Sequence, residues 1–211
     1  MSNNTVCILQ GDIGTKIVTI MGSPKKNGKT AFTLNAFEQK MSNAGHVVQR
    51  FNVASMKVNG CIGCMACYRS VGKPGCAQKD DGVLVIEQML QADAIVYASP
   101  VYAYDFTAQF KTIWDRHFCL LKTDNAGKPL SLMKNKITSL LLTCGGPEEG
   151  NTDLIKVAFN RAIKDMLQTR LVGQFVVAHS MSLDFESLAF AVARQMAQNI
   201  TSEACKISDT I

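Results

Sequence analysis

The stretch "GSPKKNGKT", residues 22–30, contains the residue types that bind a phosphate group. Six of its side chains can donate a hydrogen bond to an anion: Ser23, Lys25, Lys26, Asn27, Lys29 and Thr30. Where a helix begins directly after such a loop, its free backbone N–H groups and its dipole favour an anion at the same place. The stretch therefore predicts a phosphate site.

The same stretch differs from the loop that binds nucleoside triphosphates, G-x-x-x-x-G-K-[ST]. Five residues separate Gly22 from Gly28, where that motif has four. Triphosphate chemistry also requires Mg²⁺, which an Asp at the end of a buried strand commonly holds, and none of the five predicted strands ends in Asp. A monophosphate ester is favoured over ATP, and a strand-to-helix turn without a ligand is the alternative.

Four of the eight cysteines lie within residues 61–76, "CIGCMACYRSVGKPGC". Cys61, Cys64 and Cys67 form a C-x-x-C-x-x-C run, and Cys76 follows after eight further residues. Short spacers let several thiolates converge on one metal centre, so the run favours an iron–sulfur cluster or a tetrahedral zinc ion. The third alternative is a loop without metal, in which Cys61 and Cys64 form a reversible disulfide.

Two further segments carry residues suited to a flat ring. Tyr102 and Tyr104 lie in "SPVYAYDF", residues 99–106, and their aromatic faces can stack on such a ring. Gly145 and Gly146 lie in "TCGGPEEGNT", residues 143–152, where the missing side chains let the backbone approach a ligand. One phosphate loop and two ring-contacting loops together suit FMN.

The elements between these segments must bring them together. Short apolar runs predict five strands, at 16–22, 46–53, 93–100, 136–146 and 171–180. Apolar residues at helical spacing predict a helix after each strand. The alternation predicts an α/β fold, a doubly wound parallel sheet with helices on both faces. Ligands of such sheets bind outside the carboxyl ends of the strands, where all three segments lie.

Length and composition exclude several other classes. The 211 residues are expected to form a single domain, 1–211, with a cysteine-rich loop insert at about 54–80. No apolar run is long enough to span a membrane, and the polar start resembles no signal peptide, so a cytoplasmic location is expected. The net charge of +5 is scattered rather than clustered, which excludes nucleic acid and suits a small anionic ligand.

Residues 16–180 resemble the NAD(P)H-dependent FMN reductase family of flavodoxin-like proteins, near its iron–sulfur flavoprotein subgroup. Three segments carry the resemblance: "GSPKKNGKT", "ADAIVYASPVYAYDFTAQFKTIWDR" and "TCGGPEEG". It implies a five-stranded sheet of order 2-1-3-4-5, one FMN per subunit, NAD(P)H as electron donor, and a homodimer or homotetramer. The strongly acidic electron-carrier flavodoxins share this fold, but the present chain is basic.

The resemblance also implies a role for particular residues. The flavin phosphate would be held by Ser23, Lys25, Asn27, Gly28, Lys29 and Thr30. The isoalloxazine ring would lie against Pro100, Val101, Tyr102 and Tyr104 on one side and Thr143, Gly145 and Gly146 on the other. The subgroup implies a [4Fe–4S] cluster on Cys61, Cys64, Cys67 and Cys76, whereas relatives that bind only flavin keep a similar cysteine loop. No catalytic side chain is expected, because the flavin carries the chemistry.

The leading functional prediction is an FMN-dependent oxidoreductase that passes electrons from NAD(P)H to a flavin, a quinone or another small oxidant. The first alternative is an iron–sulfur flavoprotein acting in electron transfer, and the second is a non-catalytic flavin-binding redox sensor. Asp115 and Arg116 are interpreted as members of structural ion pairs, His117 as a structural histidine, and Cys144 as a small buried filler.

Overall fold

The computed structural model describes residues 14–124 and 126–208. These residues form seven strands: β1 (Lys16–Met21), β2 (Val47–Asn52), β3 (Ala94–Pro100), β4 (Leu121–Thr123), β5 (Pro129–Ser131), β6 (Ile137–Thr143) and β7 (Arg170–Val177). They also form five α-helices: α1 (Lys29–Asn43), α2 (Asp81–Gln91), α3 (Ala108–Arg116), α4 (Asp153–Arg161) and α5 (Phe185–Ser208). The polar start of the chain, on which the expectation about a signal peptide rests, lies outside the described residues.

The central sheet has the strand order β2-β1-β3-β6-β7, and all its neighbouring pairs are parallel. Counted among the five strands of this sheet alone, the order is 2-1-3-4-5, which confirms the prediction. Helices α1 and α5 cover one face of the sheet, and α2, α3 and α4 cover the other. The middle strand β3 is buried from Ala94 to Ser99, so its sequence has no polar alternation.

Two local features differ from the sequence prediction. Strands β4 and β5 form an antiparallel hairpin, which was not predicted because its strands are three residues long and contain Lys and Pro. The helix predicted after the fourth strand ends as α4 at Arg161, and the chain continues as a π-helix over Ala162–Leu167. Gln168 follows in the left-handed region with φ 55°, and its amide donates to the Pro129 carbonyl at 3.2 Å. The π-helix therefore ends where the hairpin packs.

The predicted cysteine-rich insert is mostly irregular. Within residues 54–80 the backbone makes one full 3₁₀ turn, Ala66–Arg69, and the end of another, Val53–Ser55. Across the described ranges, none of the helices combines the length and the apolar character that a membrane span requires.

Candidate functional site

The three predicted loops leave the sheet at neighbouring positions on its carboxyl edge. The first follows β1 and the second follows β3, which pairs directly with β1. The third follows β6, and Pro100 at the end of β3 lies in register with Thr143 at the end of β6. The parallel register therefore brings together segments that lie more than 40 residues apart in the sequence.

The first loop ends at an open helix N-terminus. Gly28 is the N-cap of α1, no side chain caps the helix, and the first turn contains no acidic residue. The Ser23 hydroxyl turns inward and accepts a hydrogen bond from the Lys25 backbone N–H at 3.2 Å, and Gly28 N–H donates to the Lys25 carbonyl at 3.1 Å. The loop is thus shaped by its own hydrogen bonds, and the first N–H groups of α1 stay available to an anion.

Buried threonine hydroxyls join this loop to the other two. The hydroxyl oxygens of Thr30 and Thr143 lie 2.7 Å apart and link the start of α1 to the end of β6. The Thr107 hydroxyl donates to the Gly22 carbonyl at 2.6 Å and accepts from the Phe110 N–H at 3.1 Å, so it also caps α3. All three side chains are at most 3% exposed, so the edge of the site has a fixed geometry.

The lysine and asparagine side chains of the first loop are less tightly placed. Lys25 and Asn27 are exposed. The Lys29 ammonium lies 4.0 Å from the centre of the Phe185 ring at the start of α5, which is a cation–π contact. The structure therefore brings Ser23, Gly28 and Thr30 to the helix N-terminus, while it directs Lys29 toward α5.

The second loop is a strained two-residue turn. Tyr102 and Asp105 exchange backbone hydrogen bonds of 2.9 and 3.0 Å, and the residues between them, Ala103 and Tyr104, have φ of 48° and 64°. Two positive φ angles define a type I′ turn, which usually selects Asn or Gly. Such strain is typical of functional sites. The turn leaves the rings of Tyr102 and Tyr104 exposed by 47% and 58%.

The third loop faces free space at Gly145 and is hydrogen-bonded to the segment after β7 at Gly146. A side chain added at Gly145 would meet no atom within 4 Å, so the backbone there faces free space. The Gly146 carbonyl accepts from the His179 N–H at 3.0 Å, which fixes the loop to the segment after β7. Cys144 is buried, as predicted, and burial raises the pKa of its thiol.

The four motif cysteines line a separate pocket of about 310 Å³, beside the end of α3. Cys61 and Cys64 are exposed, Cys76 is half-buried and Cys67 is buried. Within residues 14–124 and 126–208, no three His, Cys, Asp or Glu side chains lie close enough together to hold one metal ion. The sulfur atoms thus surround a cavity rather than converge on a single point.

A fifth sulfur atom lines the same pocket. Cys119 is 2% exposed and follows α3, and sequence reasoning did not find it because it lies 43 residues beyond Cys76. Burial, followed by the neighbouring sulfurs of Cys76 and Cys67, raises the pKa of the Cys119 thiol to about 12. This thiol is therefore neutral at physiological pH.

Two buried cations hold the cysteine loop in place. Arg116 Nη1 donates to both carboxylate oxygens of Asp80 at 2.6 and 2.8 Å, which confirms its interpretation as half of an ion pair. Asp115 likewise pairs with Lys111 at 2.6 Å. The ammonium of Lys122, missed by sequence reasoning, donates to the Cys67 carbonyl at 2.7 Å.

Asp80, the acidic partner of Arg116, binds backbone groups at the base of the cysteine loop. The Asp80 carboxylate accepts from the backbone N–H groups of Asn59 at 2.8 Å and Gly82 at 3.1 Å. Burial alone would raise the pKa of Asp80, but the Asn59 N–H and the Arg116 guanidinium outweigh it and hold the pKa below its usual value. Burial alone would lower the pKa of Arg116, but Asp80 and the adjacent Cys76 raise it.

Fold and site together define a class of protein. A parallel sheet of order 2-1-3-4-5, with an open helix N-terminus directly after its first strand, is a flavodoxin-like α/β structure. The chain belongs to the NADPH-dependent FMN reductase family, whose model matches residues 15–180.

Similar proteins agree with this assignment. The chain is 39% identical over 101 residues to an iron–sulfur flavoprotein of Archaeoglobus fulgidus, which covers 48% of this chain and 44% of that protein. It is 30% identical over 139 residues to an iron–sulfur flavoprotein of Methanocaldococcus jannaschii, 66% of each chain. It therefore spans less than half of the first relative and about two thirds of the second.

Solved structures show the same fold. The structure superimposes on an NAD(P)H:quinone oxidoreductase from Methanothermobacter marburgensis with a TM-score of 0.68 at 17% identity, covering 89% of this chain and 99% of that one. An azoreductase from Bacillus anthracis gives a TM-score of 0.57 at 15% identity, covering 93% of this chain and 100% of that one. At these identities the likeness concerns the fold alone.

Proposed function

We propose that the chain is an FMN-dependent oxidoreductase that takes electrons from NADPH or NADH and passes them to a flavin, a quinone or another small oxidant. One observation carries this proposal: three loops at the carboxyl edge of the sheet are joined by the Thr30–Thr143 and Thr107–Gly22 hydrogen bonds beside the uncapped start of α1. Membership of the FMN reductase family supports it.

The residues present at this edge fit FMN. The open first turn of α1 suits a phosphate dianion, and the free space at Gly145 lets the backbone lie close to a flat ring. We assign the phosphate to Ser23, Lys25, Asn27, Gly28, Lys29 and Thr30, and the ring to Pro100, Val101, Tyr102, Tyr104, Thr143, Gly145 and Gly146. For Lys29 this assignment requires the ammonium to leave the Phe185 ring.

The protein's own role is to bind and orient. When bound, FMN supplies the ability to accept electrons from a nicotinamide and to release them to an acceptor. Tyr102 and Tyr104 lie in the strained turn at the edge of the site, where their exposed rings can cover one face of the flavin. The Cys144 N–H already donates to the Val177 carbonyl at 3.1 Å, so the backbone N–H groups of Gly145 and Gly146 are the ones that can stabilise negative charge on the ring.

Anaerobic mixing of the FMN-loaded chain with NADPH or NADH tests the proposal. We expect rapid loss of the visible flavin absorption and its return when a quinone is added. A chain that binds FMN but is not reduced on this timescale would instead be the non-catalytic redox sensor. A chain that binds no FMN would contradict both functions.

A matched pair of glycine variants tests the position of the ring. A Cβ at residue 145 would meet no atom within 4 Å, so Gly145→Val fills the space next to the proposed ring and should weaken FMN binding at least tenfold while the chain stays folded. Gly60→Val also enters open space, but on the cysteine loop, and should leave FMN affinity unchanged. Equal affinity in both variants would exclude the ring from this loop.

The second candidate function is an iron–sulfur flavoprotein, and the cysteine pocket favours it. All four motif cysteines line one cavity of about 310 Å³ together with Arg116, a buried cation that suits an anionic cluster. Two similar proteins carry the name iron–sulfur flavoprotein. Iron and acid-labile sulfide in equal amounts after anaerobic purification would support this function, and a colourless pocket that takes up zinc alone would contradict it.

A further inference from the structure

Arg116 has a free edge inside the cysteine pocket. Its side chain is 1% exposed and lines the pocket, and its Nη1 is fully engaged by Asp80 and by the Asn59 carbonyl at 3.3 Å. Its Nε and Nη2 have no hydrogen-bond partner among the described residues. These two nitrogens form one side of the planar guanidinium, the side that donates two parallel N–H groups to a single acceptor. Two unpaired buried donors on one side chain call for a ligand.

The surrounding residues hold the guanidinium in this position. A Cβ at residue 82 would lie 2.8 Å from Arg116 Nη1, so Gly82 leaves the space that the side chain fills. Cys76 lines the same pocket as Arg116 and raises the pKa of the guanidinium, so a motif cysteine lies close to this side chain. The side chain is thus anchored by Nη1, and its opposite edge faces the cysteine loop.

A second buried cation lies next to the pocket, behind the cysteine loop. Lys122 is 7% exposed, and its Nζ donates to the carbonyls of Cys67 at 2.7 Å and Pro74 at 3.2 Å. Asp80 compensates one of the two buried cations. Asp115 also lines the pocket, but it is half-exposed and paired with Lys111. One buried positive charge therefore has no acidic partner in the described part of the chain and can balance the negative charge of a group bound by the cysteine sulfurs.

We propose that the free edge of Arg116 donates hydrogen bonds to the sulfur atoms of an iron–sulfur cluster in the cysteine pocket. The inference rests on the second candidate function and adds a non-cysteine contact to the cluster. Hydrogen bonds and positive charge at cluster sulfurs favour the reduced, more negative state, and they also hold the cluster in place. Arg116 therefore raises the reduction potential and slows the loss of iron.

Two substitutions at this position separate hydrogen bonding from charge. Arg116→Gln removes both the charge and the two-donor edge, and we expect iron release to a chelator to be about tenfold faster. We also expect the ratio of reduced to oxidised cluster at a fixed potential to fall about tenfold, which is about 59 mV for a one-electron couple. Arg116→Lys keeps the charge without the two-donor edge and should lie between the wild type and Arg116→Gln. Arg170→Gln removes an arginine that is paired with Glu203 on the surface and serves as the control.

The readouts are iron and sulfide content, the rate of iron release and the reduction potential, all measured on the anaerobically reconstituted, FMN-loaded chain. Arg116→Gln values equal to those of the wild type would overturn the inference and leave the iron–sulfur function standing. A wild type that takes up no iron would overturn both this inference and the iron–sulfur function. Flavin reduction by NADPH would still test the proposed oxidoreductase function. If Arg116→Gln does not fold, the double variant Asp80→Asn/Arg116→Gln also removes the Asp80 carboxylate, which would otherwise be buried without its partner. The double variant then gives the same comparison with the wild type.

Discussion

Three threonine hydroxyls connect the loops of the candidate site. Thr30 and Thr143 bond to each other, and Thr107 bonds to the Gly22 carbonyl, so each contact crosses from one strand end to the next. These side chains are buried, where an unpaired hydroxyl is costly. Replacing one of them by valine keeps the shape of the side chain and removes only its polarity, which makes them precise probes.

Thr30→Val is expected to weaken FMN binding by about 10- to 100-fold. It removes a hydroxyl that we assign to the phosphate, and a hydrogen bond to a charged group contributes about 1.5–3 kcal/mol. Thr33→Val is the matched control, because the Thr33 hydroxyl is also buried in α1 but donates to the Lys29 carbonyl at 3.1 Å. Fluorescence titration with FMN measures both. Equal losses in the two variants would contradict the assignment of Thr30.

His117 predicts how stability depends on pH. Its Nδ1 donates to the Ile113 carbonyl, so its Nε2 accepts from the Tyr97 hydroxyl, both at 2.8 Å, and the ring is neutral. Burial lowers the pKa of His117 from 6.5 to about 4. The unfolded chain therefore binds a proton that the folded chain excludes, and stability present above pH 6.5 is lost as the pH falls toward 4.

The expected loss is about 3 kcal/mol of the free energy of unfolding. Urea unfolding at pH 7, 5.5 and 4 measures it, and His117→Gln should remove this part of the pH dependence. Burial also lowers the pKa of His46, so the difference between wild type and variant, rather than the wild-type curve alone, reports on His117. Parallel curves for the two chains would be inconsistent with a neutral buried His117.

At the scale of elements, Asp80 connects three segments. It caps α2 through the Gly82 N–H, binds the cysteine loop through the Asn59 N–H, and pairs with Arg116 at the end of α3. The side chains of Asp80 and Arg116 are 8% and 1% exposed. Removing one partner of such a pair leaves the other buried and unpaired, which costs more than the pair itself contributes.

Asp80→Asn is therefore expected to lower the free energy of unfolding by about 3–5 kcal/mol. The adjacent Asp81→Asn is the control, because Asp81 is more exposed and accepts only one loop bond, from the Lys57 N–H at 2.8 Å, and it should cost about 1 kcal/mol. Urea unfolding compares the two. A smaller effect at Asp80 than at Asp81 would show that the buried pair does not stabilise the loop.

The sequence predicts elements that are long and buried better than those that are short. The strands of the main sheet are recognisable because both faces are covered and their residues are almost all apolar. The β4–β5 hairpin has no such pattern, since its stability depends on partners such as Gln168, 37 residues beyond Ser131. The change from α4 to a π-helix likewise has no recognisable local signal, and the π-helix contacts strand β5 of this hairpin.

The candidate site was likewise predictable in part from the sequence. Its loops were predicted because Gly, Ser, Pro and Tyr cluster after predicted strands, and the parallel register then brings the strand ends together. Contacts across the fold were not predictable. The Arg116–Asp80 pair joins residues 36 positions apart, and Lys122 reaches a carbonyl 55 positions away. Composition identified the cysteines but not the two buried cations that bind carbonyl groups of their loop.

At the scale of the whole molecule, exposed apolar side chains flank the third loop of the site. Leu154 and Val157 on α4 are 73% and 60% exposed, and Met181 and Leu183 after β7 are 83% and 103% exposed. The hydrogen bond from the His179 N–H to the Gly146 carbonyl joins the segment after β7 to the third loop, which precedes α4. Large apolar side chains grouped in this way are typical of a contact with another protein surface.

We therefore predict a homodimer that forms through this face, next to the proposed flavin ring. Light scattering after size exclusion should give twice the chain mass of 23.0 kDa. Leu183→Glu places a charge where the partner would cover the side chain, so it should shift the chain toward the monomer and weaken FMN binding. Val71→Glu, at an apolar residue of the cysteine loop that is 93% exposed, should leave the mass unchanged. A monomeric wild type, or a dimer that is disrupted only by Val71→Glu, would show that the subunits do not meet at this face.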